Sequence, residues 1–453
     1  MPKPVFVHAD ETRVLVRELD RPYPLIVRGR GVWLEDRDGT TYLDAISGGA
    51  MVTSLGHGPN PAVAAAAAQA EELSFVYNQQ FTTPAQEGLA DDLCAVAPPG
   101  FDRVHFTSGG AEANETALRL ARSYHVERGA SARTRIISPA QAYHGPTMAT
   151  LGLTGRAALR APYDPFIAPQ LTIPPSSWRF DPSGAEALDA LDRALETAGP
   201  ETVAAFFIEP VSAAALPAYS PPAAFWRGLD ERRREHGFLV CLDEVVTGLG
   251  RTGSWFAADQ LPIEPDIITT AKGLGAGYAP IGGALCHKRV YAAIAAGSRA
   301  FEHGHTWDGA PLPCAVGRAV LAQLHERRLV ERVAERGPGL RDRLAAALDG
   351  CEMVREVRGR GFLLGIDYVD PGDGESLLPE ELAVARRIDE TALANRLCVY
   401  STQPTADGWA GDQTLLAPAF VASDEELDAI VDRMAATVRS VEAEVKRRLP
   451  SMA

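Results

Sequence analysis

From about residue 101 the chain alternates short apolar runs with longer amphipathic stretches. Residues 103–107 and 134–138 read as strands, and 111–128 between them carries helical periodicity. Further buried strands read at 203–209, 238–246, 266–271 and 281–287, with helical segments between several of them. Strands alternating with helices in this way predict an α/β fold around a mostly parallel sheet. Upstream, residues 31–44 read as a hairpin turning at Asp38-Gly39. A glycine-rich loop covers 47–58, and Pro61 opens an alanine-rich helix to about Leu73, proline being harmless in a first helical turn. Another helix begins near Pro84. After His303 the pattern changes to two long amphipathic helices (311–326, 329–348), a strand at 360–367, a helix at 380–395, short strands near Val399 and Leu415, and a charged helix at 423–448. That change predicts a second domain of α+β type.

Length agrees, because 453 residues exceed what one core usually supports. A formal charge of −15 argues against nucleic acid or an anionic membrane as partner, since both need a basic face. No apolar run near the start suits a signal peptide and none reaches transmembrane length, so a cytoplasmic protein is expected. The six cysteines are scattered without a CxxC pair and read as reduced core residues.

Candidate chemistry gathers at strand ends. Thr107-Ser108-Gly109-Gly110-Ala111 joins a strand to a helix, where free N–H groups and the helix dipole favour a phosphate; plain N-capping by Ser108 explains it equally well. This turn is neither a Walker loop nor a GxGxxG fingerprint. In Gln141-Ala142-Tyr143-His144-Gly145 a tyrosine could lie on an aromatic ligand or simply cap the strand. His303-Gly304-His305 lacks a third ligand at recognisable spacing, so no metal is expected. Five apolar residues from Phe238 run into Asp243-Glu244. A carboxylate there is expensive to desolvate without a cation, and a protonated pyridine nitrogen would supply one. The next strand ends at Lys272, followed by three glycines within five residues. The chain has four lysines against forty arginines, and only a lysine can lose its proton in a dry site and act as a nucleophile. Asp243 and Lys272 thus end adjacent expected strands, a counter-ion and an amine on one rim.

Taken in order, these motifs resemble a class III (ω-type) aminotransferase of the fold type I superfamily, which uses pyridoxal 5'-phosphate (PLP). The similarity runs from about Trp33 to Met434. It implies that Ser108, Gly109 and Gly110 hold the phosphate, that Tyr143 stacks on the ring with His144 beside it, and that Glu209 lies near the ring. Asp243 would pair with the pyridine nitrogen, Val245 pack the other ring face, and Lys272 carry the aldehyde and move protons. Thr306 would reach the phosphate of a neighbouring subunit, so a homodimer is implied, with a small-molecule amine and a keto acid as substrates. The fold so implied is a large PLP domain at 71–315 and a small domain from 316–453, joined by the N-terminal segment 1–70.

Departures from the family pattern shape the substrate reading. Val246 stands where many members have glutamine, and Leu415 where members using 2-oxoglutarate have arginine; no arginine or lysine occurs between Arg396 and Arg433. The expectation is a more apolar pocket, lined by Met51, Tyr77, Phe81, Trp409 and Leu415 and suited to an ω-amine or unusual amino acid. Two alternatives remain: a PLP-dependent epimerase or decarboxylating enzyme, and a nucleotide-dependent α/β enzyme using the Ser108 turn.

Overall fold

The computed structural model describes residues 6–402 and 411–449. Near the N-terminus, β1 (Ile26–Arg30), β2 (Trp33–Asp36) and β3 (Thr41–Asp44) form antiparallel pairs. The expected hairpin turns at Asp38-Gly39, where Asp36 Oδ1 accepts from the N–H groups of Asp38 and Thr40 at 3.0 and 2.9 Å. Helices α1 (Pro61–Glu72) and α2 (Pro84–Val96) follow, each with proline in its first turn and a capping Asn60 or Thr83 side chain before it.

A seven-stranded sheet comes next, built from β4 (Phe101–Thr107), β5 (Arg135–Pro139), β6 (Leu171–Ile173), β7 (Val203–Ile208), β8 (Leu239–Asp243), β9 (Ile267–Thr270) and β10 (Gly282–His287). Their spatial order is β4-β10-β9-β8-β7-β5-β6. All neighbours pair in parallel except β10, which runs antiparallel to both β9 and β4. Strands β7, β8 and β9 are buried along their whole length, which is why they read as unbroken apolar runs rather than alternating ones. Between β4 and β5 lies α3 (Gly110–Glu127); α4 (Ala185–Ala198) precedes β7, and α5 (Ala223–His236) leads into β8.

Beyond the sheet, α6 (Lys288–Ala296) is followed by α7 (Pro311–Glu326) and α8 (Leu329–Ala347). Strands β11 (Val354–Arg360) and β12 (Leu363–Tyr368), helix α9 (Val384–Ala394), and strands β13 (Leu397–Cys398), β14 (Tyr400–Thr402) and β15 (Gln413–Leu416) complete the C-terminal region with α10 (Asp424–Arg448). The order β11-β12-β15-β14 makes a second sheet, while β13 joins β3 in parallel, Leu397 opposite Leu43. Both ends of the chain therefore share one small sheet. Helix α10 starts with a capping box, Ser423 and Glu426 exchanging hydrogen bonds with each other's N–H groups, and the same Glu426 accepts from Trp33 Nε1 at 2.8 Å. Among the described residues no helix is long and apolar enough to cross a membrane. All six cysteines are unpaired, four of them buried.

Candidate active site

Parallel pairing sets Asp243 opposite Thr269 across β8 and β9, so the carboxylate and the Lys272 that follows β9 leave the sheet at the same edge. Strand β4 ends there too, at Thr107, with α3 starting at Gly110. This is the edge where open α/β sheets bind ligands. A cavity of ≈ 450 Å³ opens over it. Of the residues expected from the sequence, Met51, Ser108, Gly109, Gly110, Tyr143, His144, Glu209, Asp243, Val245 and Lys272 all line it.

Asp243 is buried within a network of donors. Asn114 Nδ2 donates to its Oδ2 at 2.7 Å, Val245 N–H to Oδ1 at 3.0 Å, and His144 Nδ1 lies 2.8 Å from Oδ2. Asn114 is oriented in turn: its amide also donates to the His144 carbonyl at 2.8 Å and its Oδ1 accepts from Thr269 at 2.6 Å. His144 stands edge-on to Phe207, ring centroids 4.8 Å apart. Such a network fixes a buried charge in one orientation.

Lys272 sits at φ +38°, a left-handed conformation unusual for a side-chain-bearing residue, and follows Ala271 at φ −163°. Burial pulls its ammonium below the ordinary lysine range, with Asp243 and Glu209 opposing that shift. Glu209 moves the other way: burial raises it to about 7, and the nearby Asp243 adds to the rise. Its carboxylate accepts the N–H groups of Tyr143 and Ala213 at 3.1 and 3.2 Å. Burial also pushes the Tyr143 phenol up; Tyr400 adds to this, and Arg156 and Arg17 oppose it.

At the helix start, Gly109 is extended and open to the cavity, since a Cβ there would meet nothing within 4 Å. Gly110 is obligatory for another reason, because a Cβ would lie 2.7 Å from Val245 Cγ1. The N-terminus of an 18-residue helix thus faces the cavity unshielded by side chains. The cavity holds an amine, an oriented carboxylate, an aromatic ring and an anion-binding helix end. A phosphorylated pyridine aldehyde calls for each of these.

Several expectations fall elsewhere. Tyr77 and Phe81 do not line the cavity; they occupy the turn between α1 and α2, 41 % and 60 % exposed. Thr306 is also exposed, on the turn before α7. Leu415 is buried behind the wall, in an apolar cluster with Met51, Val211 and Ala213. Trp409 lies outside the described residues. The strand expected to run to Val246 stops at Asp243. Arg17 also lines the cavity, beside the apolar Met51, Val52, Val211 and Val246. Sequence reasoning missed Asn114, Arg17, Tyr400 and Arg251. Only Arg251 carried a signal, an arginine inside the glycine-rich run that follows Asp243. It is 2 % exposed, donates to the Phe362 and Pro418 carbonyls and to Ser47 Oγ, and thereby pins the loop that carries Met51. No cluster of metal-ligating side chains occurs among the described residues.

Comparison with known proteins decides the family. The model of class III aminotransferases matches residues 16–438. The chain is a class III aminotransferase. It is 33% identical over 436 residues to the uncharacterized aminotransferase YodT of Bacillus subtilis, covering 95% of this chain and 98% of that one. It is likewise 33% identical to acetylornithine aminotransferase of Methanothermobacter thermautotrophicus, covering 93% and 95% of the two chains. Among solved structures, an (S)-enantioselective omega-transaminase from Thermomicrobium roseum superposes with a TM-score of 0.85 at 33% identity, over 92% of each chain. An amine transaminase from an uncultivated Pseudomonas species, solved with PLP bound, gives 0.87 at 29% identity, over 97% of this chain and 99% of that one. These relatives favour an aminotransferase over the epimerase, decarboxylase and nucleotide readings. The large sheet of this aminotransferase is the fold type I sheet, its seventh strand reversed.

Proposed function

We propose that this aminotransferase holds PLP on Lys272 and moves an amino group from an ω-amine or unusual amino acid to a keto acid by a ping-pong route. The observation that carries this reading is the meeting of Lys272 and Asp243, from the ends of adjacent parallel strands, in a cavity that α3 enters by its N-terminus. When bound, the cofactor supplies an electron sink conjugated to the substrate's amine-bearing carbon. Asp243 would face the ring nitrogen, being kept in place by Asn114, Val245 N–H and His144. Ser108, Gly109 and Gly110 would receive the phosphate, and Tyr143 and Val245 would pack the two ring faces. Lys272, with its pKa lowered by burial, gives up a proton at modest cost and is suited to carry one between the two carbon atoms that flank the transferred nitrogen.

The small domain in this reading comprises 316–453 with the segment 1–70, and the large domain 71–315; the β3–β13 pairing supports joining the chain ends. We also propose a homodimer in which a second copy covers exposed Tyr77, Phe81, Thr306 and Trp307. Purified protein should be yellow, and borohydride reduction should leave the cofactor covalently on Lys272, read by peptide mass spectrometry. Attachment to any other residue would sink the assignment.

A further inference from the structure

Leu415 removes the arginine that a carboxylate-binding member would offer at that position, and the structure brings in other cations. In β14–β15 the residue directly opposite Leu415 is Tyr400, which lines the cavity. Residues paired across antiparallel strands lie side by side on one face. Arg156, which follows β5, stands directly behind this lining: its Nη1 donates to Tyr400 Oη at 3.4 Å. Arg17 lines the same cavity from the N-terminal segment. Both arginines oppose the rise of the Tyr143 phenol, and Tyr143, Tyr400 and Arg17 line one cavity.

Neither arginine has a carboxylate within ion-pair distance among the described residues, whereas Arg251 is engaged by the fold itself through the Phe362 and Pro418 carbonyls. The two acids of the cavity do not compete for them. Glu209 is held by two backbone N–H groups, and Asp243 by Asn114, Val245 and His144. A half-buried guanidinium with unused donors is suited to a bidentate bond with a planar carboxylate.

We infer that Arg156 and Arg17, braced by Tyr400, form the carboxylate clamp of this enzyme, replacing the cation absent at Leu415. Arg156 is the fixed half of the clamp. Arg17 closes over it from an exposed segment in which Leu15 is 92% and Leu19 64% exposed. The substrate class that follows is a keto acid, with its matching amino acid, whose carboxylate reaches the rim, while an uncharged amine needs only the apolar wall. This rests on the function proposed above.

The test compares wild type, Arg156→Gln, Arg156→Lys and Arg17→Gln with pyruvate and with butanal as amino acceptors. The ratio of kcat/KM for pyruvate to that for butanal should fall about ten-fold or more in Arg156→Gln, the loss of one charge-assisted hydrogen bond, and less in Arg17→Gln. Arg156→Lys keeps the charge without the fork and should lie between; it also carries the test should the glutamine variant fail to fold. Binding of butyrate, which has neither amine nor ketone, should weaken by a similar factor in NMR titrations. An unchanged acceptor ratio, or butyrate bound by Arg156→Gln as by wild type, would overturn the clamp. Colourless wild-type protein would instead refute the functional reading, and the butyrate titration decides the clamp in that case too.

Discussion

Asn114 offers the sharpest test of how the carboxylate is held. Replacing it with leucine keeps its shape and removes three hydrogen bonds: to Asp243 at 2.7 Å, to the His144 carbonyl at 2.8 Å, and from Thr269 at 2.6 Å. The bond to a charged group is worth about 1.5–3 kcal/mol and the neutral ones about 1 kcal/mol each, roughly 4 kcal/mol together. Unfolding entropy of about 2.1 cal/mol/K per residue then converts this to a fall in Tm of about 4 °C for a chain of this length. If about 2 kcal/mol of it orients Asp243 in the rate-limiting step, single-turnover deamination of an amine should slow about 30-fold. Thr269→Val removes one neutral bond and calibrates the pair, at about 1 °C and less than about five-fold in rate. Rapid-mixing kinetics and thermal melts on the same samples separate the two effects. An Asn114→Leu enzyme within two-fold of wild-type rate, or a Thr269→Val enzyme slowed as much as Asn114→Leu, would refute the view that this amide positions the carboxylate.

Two further outcomes follow from buried charges. Glu209 is raised from 4.5 to about 7, so the folded, cofactor-free protein binds an extra proton between those values and loses stability as pH rises through that window, by up to about 3 kcal/mol. Glu209→Gln cannot ionise but turns a donor toward Tyr143 or Ala213, so urea unfolding should find it less stable than wild type at pH 5 and more stable at pH 8; a constant difference would contradict this. Arg251→Met leaves the Phe362 and Pro418 carbonyls and Ser47 Oγ without their donor, and should lower Tm by several degrees and raise KM through the loop bearing Met51. A melt and KM matching wild type would show that this guanidinium is dispensable.

Much of the architecture is written locally. The helix beginning at Pro61, the hairpin at Asp38-Gly39 and the buried strands around Asp243 follow from turn chemistry and from apolar runs, so they can be read one segment at a time. The reversal of β10 cannot, because a strand's direction depends on the path of the chain between strands. The same distinction divides the site. Lys272, Asp243 and Ser108 each stand at the end of a readable strand. Asn114 looks like any polar residue on α3 until the fold puts it 129 positions from its carboxylate in sequence and 2.7 Å in space. Arg17 and Tyr400 are further cases, brought to the rim from opposite ends of the chain. A search for a cation limited to the neighbourhood of Leu415 misses both Arg17 and Arg156. Tyr77 and Phe81 stand exposed on a turn away from this chain's own cavity, so their role depends on what covers that turn, which no local pattern states.

The pairing of β3 with β13 has a consequence for synthesis. All seven strands of the large sheet lie between Phe101 and His287, so Ser108, Asp243 and Lys272 can assemble while the last third of the chain is still unmade. Strand β3 meanwhile lacks its partner, and the loop carrying Met51 lacks the Pro418 carbonyl that Arg251 will also bind. Tyr400 and Leu415 arrive only when the C-terminal strands leave the ribosome. The order of synthesis therefore lets the lysine and carboxylate strands meet while the cavity is still roofless, before the C-terminal strands that wall it exist.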